Sequence, residues 1–563
     1  MVGLRRWRMA YAVVVDDRAA TAAESPAVTA GRATLGIPTT LAPRRSYPVA
    51  WTPLLVPLVL AAAYLVLLLV RFPTLIGWLG SQGDYASAYV LTDTISHGHS
   101  GQVVMSTQGG WVSLWFGLAT HGLSFHRILW EISPALLSLA TAGLIGFSVA
   151  RLATRTAGVL TFALIVAASP TGLLNFTAPW AHNATLLGAA LLGGFLAWLH
   201  GGDGGPRGVK GLTFAVLALS ALVGAFLASD QLLVAEGIMP FLIAGLVLAF
   251  RARDWRSVFP VVAVVAGTVA VSSLISRVMA ALHFTTTPSP LQIDAGKIPL
   301  HLKWLGQGLV RLGNGLSYGP QPAIRAPLTV AAAIVMICAL AATFRLACRS
   351  VARPGSGRER ARSAYLTFWA TSLICAAGAY VLTTLVPADR YFLVEIPLVA
   401  VSVSLLLDGG RRARTIAAGA TIVILASIVS LAAGDNRNGT YRGVVARQAG
   451  RIEALVRAHH LSIGYAGYWD AAPLDWLSHE RLHVYPLTRV FGHTEPMSIA
   501  RVAAWYRPRR NTPSYLVLAP GDDVFPAEVP PDLPRPQHEY HLGQATVATY
   551  PYDIAAYLHR PIN

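Results

Sequence analysis

The chain is built around apolar runs too long for the interior of a soluble domain. The first, "VAWTPLLVPLVLAAAYLVLLLV" at residues 49–70, carries no charge. It is long enough to cross a bilayer, which takes about 20 mostly apolar residues in a helix. Ten further stretches share its character, at about 128–150, 157–174, 184–200, 211–228, 232–250, 257–276, 327–345, 364–386, 392–407 and 415–433. Only 13% of the 563 residues are charged, against about 25% in soluble domains. The expectation is an all-α polytopic membrane protein with about eleven transmembrane helices.

A formal charge of +17 would ordinarily raise the question of nucleic acid. Its distribution answers otherwise. With the N-terminus placed in the cytoplasm, the tail and alternate loops hold 23 basic and 7 acidic residues. The outer loops and the spans hold 8 of each, and the region after 433 holds 13 basic and 12 acidic. Cationic loops stay on the cytoplasmic side of a membrane, so the excess is a topology signal. It predicts a multi-pass plasma-membrane protein with a cytoplasmic N-terminus, an extracytoplasmic C-terminus and no nucleic-acid partner. The arginine-rich, lysine-poor composition reads as a GC-rich bacterial coding sequence.

Residues 1–48 lack an apolar core long enough for a signal peptide and read as a disordered, basic cytoplasmic tail. Residues 49–433 read as the transmembrane module, with long exterior loops at 71–127 and 277–326. The three cysteines, Cys338, Cys348 and Cys375, fall in spans or at the cytoplasmic edge, so no disulfide is expected outside. Two loop segments, "GGWVSLWFGLATHGL" and "PLHLKWLGQGLVRL", read as helices lying in the interface. From 434 to 563 a helical segment, "RGVVARQAGRIEALVRAHH", precedes strands at "LSIGYAGY", "LHVYPL", "SYLVLAP" and "QATVATY", with a short helix at "AAPLDWLSHE". That alternation predicts a small α/β extracytoplasmic domain. Its aromatics Tyr465, Tyr468, Trp469 and Trp476 read as a small core in preference to a sugar-stacking surface.

The polar stretch "GSQGDYASAYVLTDTISHGH" at 80–99 stands out against this background. It carries Asp84, Asp93, His97 and His99. Of the other acids in outer loops or spans, Glu131, Glu236 and Glu395 fall inside spans near their outer ends. A carboxyl in hydrocarbon normally faces a partner or a wet cavity, so the three together point to a polar cavity opening outward. His97 and His99 read as solvated loop residues.

The order and sidedness of these motifs resemble the bacterial polytopic glycosyltransferases of the GT-C superfamily. The resemblance runs from the first span and "SQGDYASAY" through "APWAHNATLL" at 178–187 and "SDQLLVAEGIMPFLIAG" at 229–245. It continues in "PADRYFLVEIPLVAV" at 387–401 and the exterior "GYAGYWDAAPLDWLSHERLHVYPL". It implies a GT-C-like fold and transfer of a hexosyl or pentosyl group from a polyprenyl-phosphate donor to an exterior glycan, lipid or protein of the cell envelope. It places Asp84 as general base on the acceptor hydroxyl. Arg390 is placed at the departing phosphate, with His182 and Asn183 as further donors. Asp93, Asp230, Glu236, Tyr391 and Glu395 complete the expected substrate-binding set. The chain departs from members that carry adjacent acids in the first loop, since Tyr85 follows Asp84. A divalent ion wants several oxygens, so the expected reaction uses no metal and no cofactor. Two other readings compete: a transporter or flippase of lipid-linked intermediates, and a non-catalytic scaffold in envelope assembly. Neither the midplane charges nor the matched broken helices of transporters stand out.

Overall fold

The structure is a computed structural model of the full chain. It describes residues 52–79, 83–98, 102–105, 110–167, 182–201, 208–286, 293–312, 326–352, 357–383, 393–409, 412–433, 444–520 and 525–559. At 73–79, 83–85 and a few other helical positions only the backbone is described. The expected tail at 1–48 lies outside these residues.

Among the described residues, nine helices are long and apolar enough to cross a membrane. They are α1 (Thr52–Leu79), α4 (His126–Leu152), α6 (His182–His200), α7 (Val209–Ser229), α8 (Met239–Ala252) together with the turn that leads into it, so that the span is Val234–Ala252, α9 (Val258–Ala281), α11 (Ala326–Ala352), α12 (Gly357–Leu382) and α14 (Ala413–Ala433). Two shorter apolar helices, α5 (Arg155–Val166) and α13 (Glu395–Leu405), fall within the remaining expected spans. The chain is a mostly helical, multi-pass membrane protein.

Small residues let these helices pack closely. Between α4 and α5, a Cβ added at Gly158 would lie 2.5 Å from the Gly146 carbonyl oxygen and 2.6 Å from the Ala150 Cβ. Close backbone approach of this kind replaces the hydrophobic drive that lipid removes. The alanine- and glycine-rich α6 is the most enclosed span, with 72% of its apolar window buried. It therefore sits where polar groups are shielded from lipid.

Residues 71–127, expected as a loop, are largely helical. They form α2 (Gly83–Ser96), a short strand β1 (Val103–Met105) and α3 (Gly110–Thr120). Residues 83–96 of the polar stretch are thus a helix, because Ala86, Tyr89, Val90 and Leu91 have a packed surface to cover. Helix α10 (Ile298–Leu312) is the second expected interfacial helix. Strand β1 pairs in parallel with β2 (Phe284–Thr286) and antiparallel with β6 (Arg501–Val502). Three segments far apart in sequence are stitched into one sheet.

The C-terminal region opens with α15 (Val444–Ala458) and α16 (Tyr468–Leu477). Its strands are β3 (Ile463–Gly467), β4 (Val484–Val490), β5 (His493–Pro496), β7 (Ser514–Leu518), β8 (His538–Leu542) and β9 (Ala545–Tyr550), in the order β5-β4-β3-β7-β9-β8. The central pairs β3–β4 and β3–β7 are parallel and the outer ones antiparallel. The expected aromatic core is present. Tyr465, Tyr468 and Trp476 are buried, and they share one cluster with Tyr89 of α2 and Trp130 of α4. The C-terminal sheet therefore rests on the helices of the first loop. At the opposite ends of the spans lie Arg151, Arg251, Arg253, Arg345, Arg349 and Arg412.

Candidate functional site

Helix α7 stops at Asp230, which leaves helical geometry for φ −146°, ψ 112°. The Asp230 carboxylate then starts the next segment by accepting from the Leu232 backbone N–H at 3.0 Å, a turn that aspartate favours through its short acceptor side chain. The carboxylate also meets the first turn of α6. His182 donates from Nδ1 to Asp230 Oδ2 at 3.0 Å, and the Thr185 hydroxyl donates to the same oxygen at 2.5 Å. His182, Thr185 and Asp230 are all buried. Three donors on one carboxylate hold its charge away from water, and hydrogen bonds to a charged group contribute about 1.5–3 kcal/mol each. With its Nδ1 proton on Asp230, the His182 ring is fixed in orientation.

Glu236 follows two turns later in a single π-helical turn, Val234–Ile238, that leads into α8. Such turns are inserted residues, and they concentrate at functional sites. Its side chain is buried, and Oε1 has no partner among the described residues. The Ser372 hydroxyl of α12 donates to its backbone carbonyl. The turn packs on α6: a Cβ added at Gly237 would lie 3.2 Å from a Leu192 methyl and 3.6 Å from the Ala189 Cα. Glu395, first residue of α13, is fully buried, and neither oxygen has a partner among the described residues. The residues flanking Glu236 and Glu395 belong to the same large core.

The structure thus brings His182, from the motif at 178–187, to Asp230 and the turn that carries Glu236, from the motif at 229–245, and buries Asn183 beside them. Thr185 is a member that sequence reasoning missed; its place one turn after His182 is the signal that would have shown it. Asp84 is the second residue of α2, and its side chain lies outside the described residues. Arg390 and Tyr391 lie outside them altogether. Glu131 proves to be a different kind of residue from the other two span glutamates. It is half-buried and pairs with Arg127 at 3.4 Å.

Asp93 is placed apart from the buried group, near the C-terminal end of α2. There it faces His97 and the turn after α16. Burial, then the Glu480 carboxylate, push the Asp93 carboxyl above its ordinary value, with His97, His121 and His483 opposing. Arg127 fastens this region to α4: its guanidinium lies 4.2 Å from the Trp476 ring, 3.1 Å from the Trp476 carbonyl oxygen and 2.8 Å from His479 Nδ1.

A groove of about 970 Å³ runs between α11, α13 and α14. Aliphatic side chains such as Ile334, Val399 and Val423 line it, and Arg345, Arg349 and Arg412 stand at one end. It does not include His182 or Asp230.

No family model matches the chain, and no curated protein matches it. Among solved structures it is similar to ArnT from Cupriavidus metallidurans bound to undecaprenyl phosphate, at 12% identity and a TM-score of 0.49, over 87% of this chain and 97% of that one. It is also similar to the Archaeoglobus fulgidus oligosaccharyltransferase in the apo form, at 14% identity and a TM-score of 0.48, over 77% of this chain and 64% of that one.

Proposed function

We propose that this chain is a GT-C-type membrane glycosyltransferase that moves a sugar from a polyprenyl-phosphate donor to an acceptor hydroxyl at the extracytoplasmic face. The observation that carries the reading is the buried His182–Asp230–Glu236 group. An apolar bundle keeps a charged carboxylate and a second acid in its interior only against a cost, and these lie where α6, α7 and α8 meet. Sequence motifs put Asp84, Arg390 and Tyr391 on the segments expected to face the same end.

In the reaction, the acceptor oxygen forms a bond to the anomeric carbon. The bond from that carbon to the phosphate oxygen breaks, and its electron pair leaves with the polyprenyl phosphate. The acceptor proton passes to the Asp84 carboxylate, a step that general bases accelerate by about 10²–10⁴. Arg390 meets the charge that develops on the departing phosphate. His182, oriented by Asp230, and Asn183 offer polar contacts to the sugar. The apolar groove suits an isoprenoid tail, whose burial is worth about 0.8 kcal/mol per CH₂.

The test is turnover of lipid-linked sugars by the purified full-length chain in lipid nanodiscs. The reading expects free polyprenyl phosphate to appear with a sugar-bearing product. Donor that crosses between leaflets of proteoliposomes with its sugar–phosphate bond intact would replace it with transport.

A further inference from the structure

We infer that Asp93, His97 and His121 form a binding site for a divalent transition ion of the zinc class, joining the C-terminal ends of α2 and α3. One ligand atom from each of the three residues lies within 4.8 Å of the others. The ligands come from two helices. Asp93 and His97 are four residues apart, so they share a helix face, and His97 still bonds back through its N–H to the Asp93 carbonyl at 3.1 Å. His121 directly follows α3. Its ring stands nearly perpendicular to that of His97, with centroids 5.6 Å apart.

The surroundings favour ligation. His97 Nδ1 lies 2.9 Å from the Asp93 carbonyl oxygen and 3.2 Å from Asp93 Oδ1. A proton on Nδ1 is held by those oxygens, which leaves the Nε2 lone pair for a metal, the arrangement that metal-binding histidines commonly use. Beyond His121 lies His126, with ring centroids 5.4 Å apart, and the Tyr89 hydroxyl meets His126 Nε2 at 2.8 Å. The His97 side chain is 61% exposed, which provides an entry path. Metal–nitrogen bonds of about 2.0–2.1 Å require the ligand atoms to draw in by roughly 1 Å, a movement open to exposed side-chain torsions.

Two imidazoles and a carboxylate suit zinc, copper, nickel or cobalt, whereas magnesium and calcium take oxygen ligands. The site does not depend on the proposed reaction. Asp84 is nine residues earlier on α2, about 13 Å away at 1.5 Å per residue. The ion's role is to brace the helix ends on which the C-terminal sheet rests.

The experiment uses full-length protein with a tag free of histidine, stripped with chelator and dialysed against Zn²⁺ alone, with the metal counted per chain. The inference expects one tightly bound Zn²⁺. His97→Ala, His121→Ala and Asp93→Asn should each weaken it by about 10- to 100-fold, while His541→Ala, at an exposed histidine of β8, leaves it unchanged. Metal content unaffected by the His97→Ala/His121→Ala double variant overturns the site. For variants that fail to fold, Cu²⁺-loaded wild type is read by pulsed electron paramagnetic resonance. Two coupled imidazole nitrogens agree, and one or none overturns.

Discussion

His182 and Asp230 face each other across 3.0 Å, with side chains only 3% and 1% exposed, from positions 48 residues apart. The aspartate answers three donors at once, so its removal takes an acceptor from the Thr185 hydroxyl, the Leu232 N–H and the His182 ring. Asp230→Ala should destabilise the protein by about 3–5 kcal/mol, the usual cost of breaking a buried charged pair. The His182→Ala/Asp230→Ala double variant should fall short of the sum of the single effects. Thermal unfolding of the three variants in one detergent checks this.

Gly158 sits where α5 presses on α4, and any Cβ there meets the Gly146 carbonyl oxygen and Ala150. Gly158→Leu should cost about 1–3 kcal/mol or more through overpacking. The readout is a lower melting temperature and a smaller yield of monodisperse protein. A glycine without such a neighbour, Gly378, should accept alanine with no loss.

Arg127 ties the bundle to α16 through a ring face, a carbonyl and a histidine. Arg127→Ala should loosen the C-terminal region by about 1–3 kcal/mol, combining a hydrogen bond from a charged donor with a cation–π contact. Limited proteolysis should then cut between residues 434 and 563 sooner than in wild type. Arg127→Lys should not restore protection, since an ammonium lacks the planar fork.

Asp475 of α16 is buried. Burial first, then the charges of Asp93 and Glu480, push its carboxyl well above the ordinary 3.8. In the window from 3.8 upward the folded state therefore holds a proton that the unfolded state has lost. Stability contributed by this group is present below pH 3.8 and is lost as pH rises toward the raised folded value. Asp475→Asn should raise the melting temperature at neutral pH, and the gain should shrink toward pH 4. A gain independent of pH would show that the carboxyl is not the cause.

Much of the fold was legible in the sequence because lipid imposes a length and a composition that few other environments demand. The spans, the two amphipathic helices and the strands of the C-terminal region follow from periodicity and apolar length. The helix at 83–96 was not legible. Its packing surface comes from Tyr468, Ala472 and Trp476, almost 400 residues away, and local pattern carries no trace of a partner so distant. The same holds for the three-stranded sheet, where Val103 pairs with both Phe284 and Val502. In the buried site, acids inside spans marked Glu236 and Glu395, while Thr185 passed as an ordinary helix residue. His121 was overlooked for a related reason. Its neighbours Asp93 and His97 lie on another helix and the turn that ends it, and sequence spacing registers ligands only within one segment.

Whether Asp84 takes the acceptor proton is decided by transfer in the Asp84→Asn variant. The assay follows polyprenyl phosphate released from a lipid-linked sugar by purified wild-type and variant protein, both shown by size exclusion to be folded. The account predicts a loss in kcat of about 10²-fold or more, with little change in donor KM. Turnover equal to wild type would remove Asp84 from the chemistry and contradict the proposed mechanism.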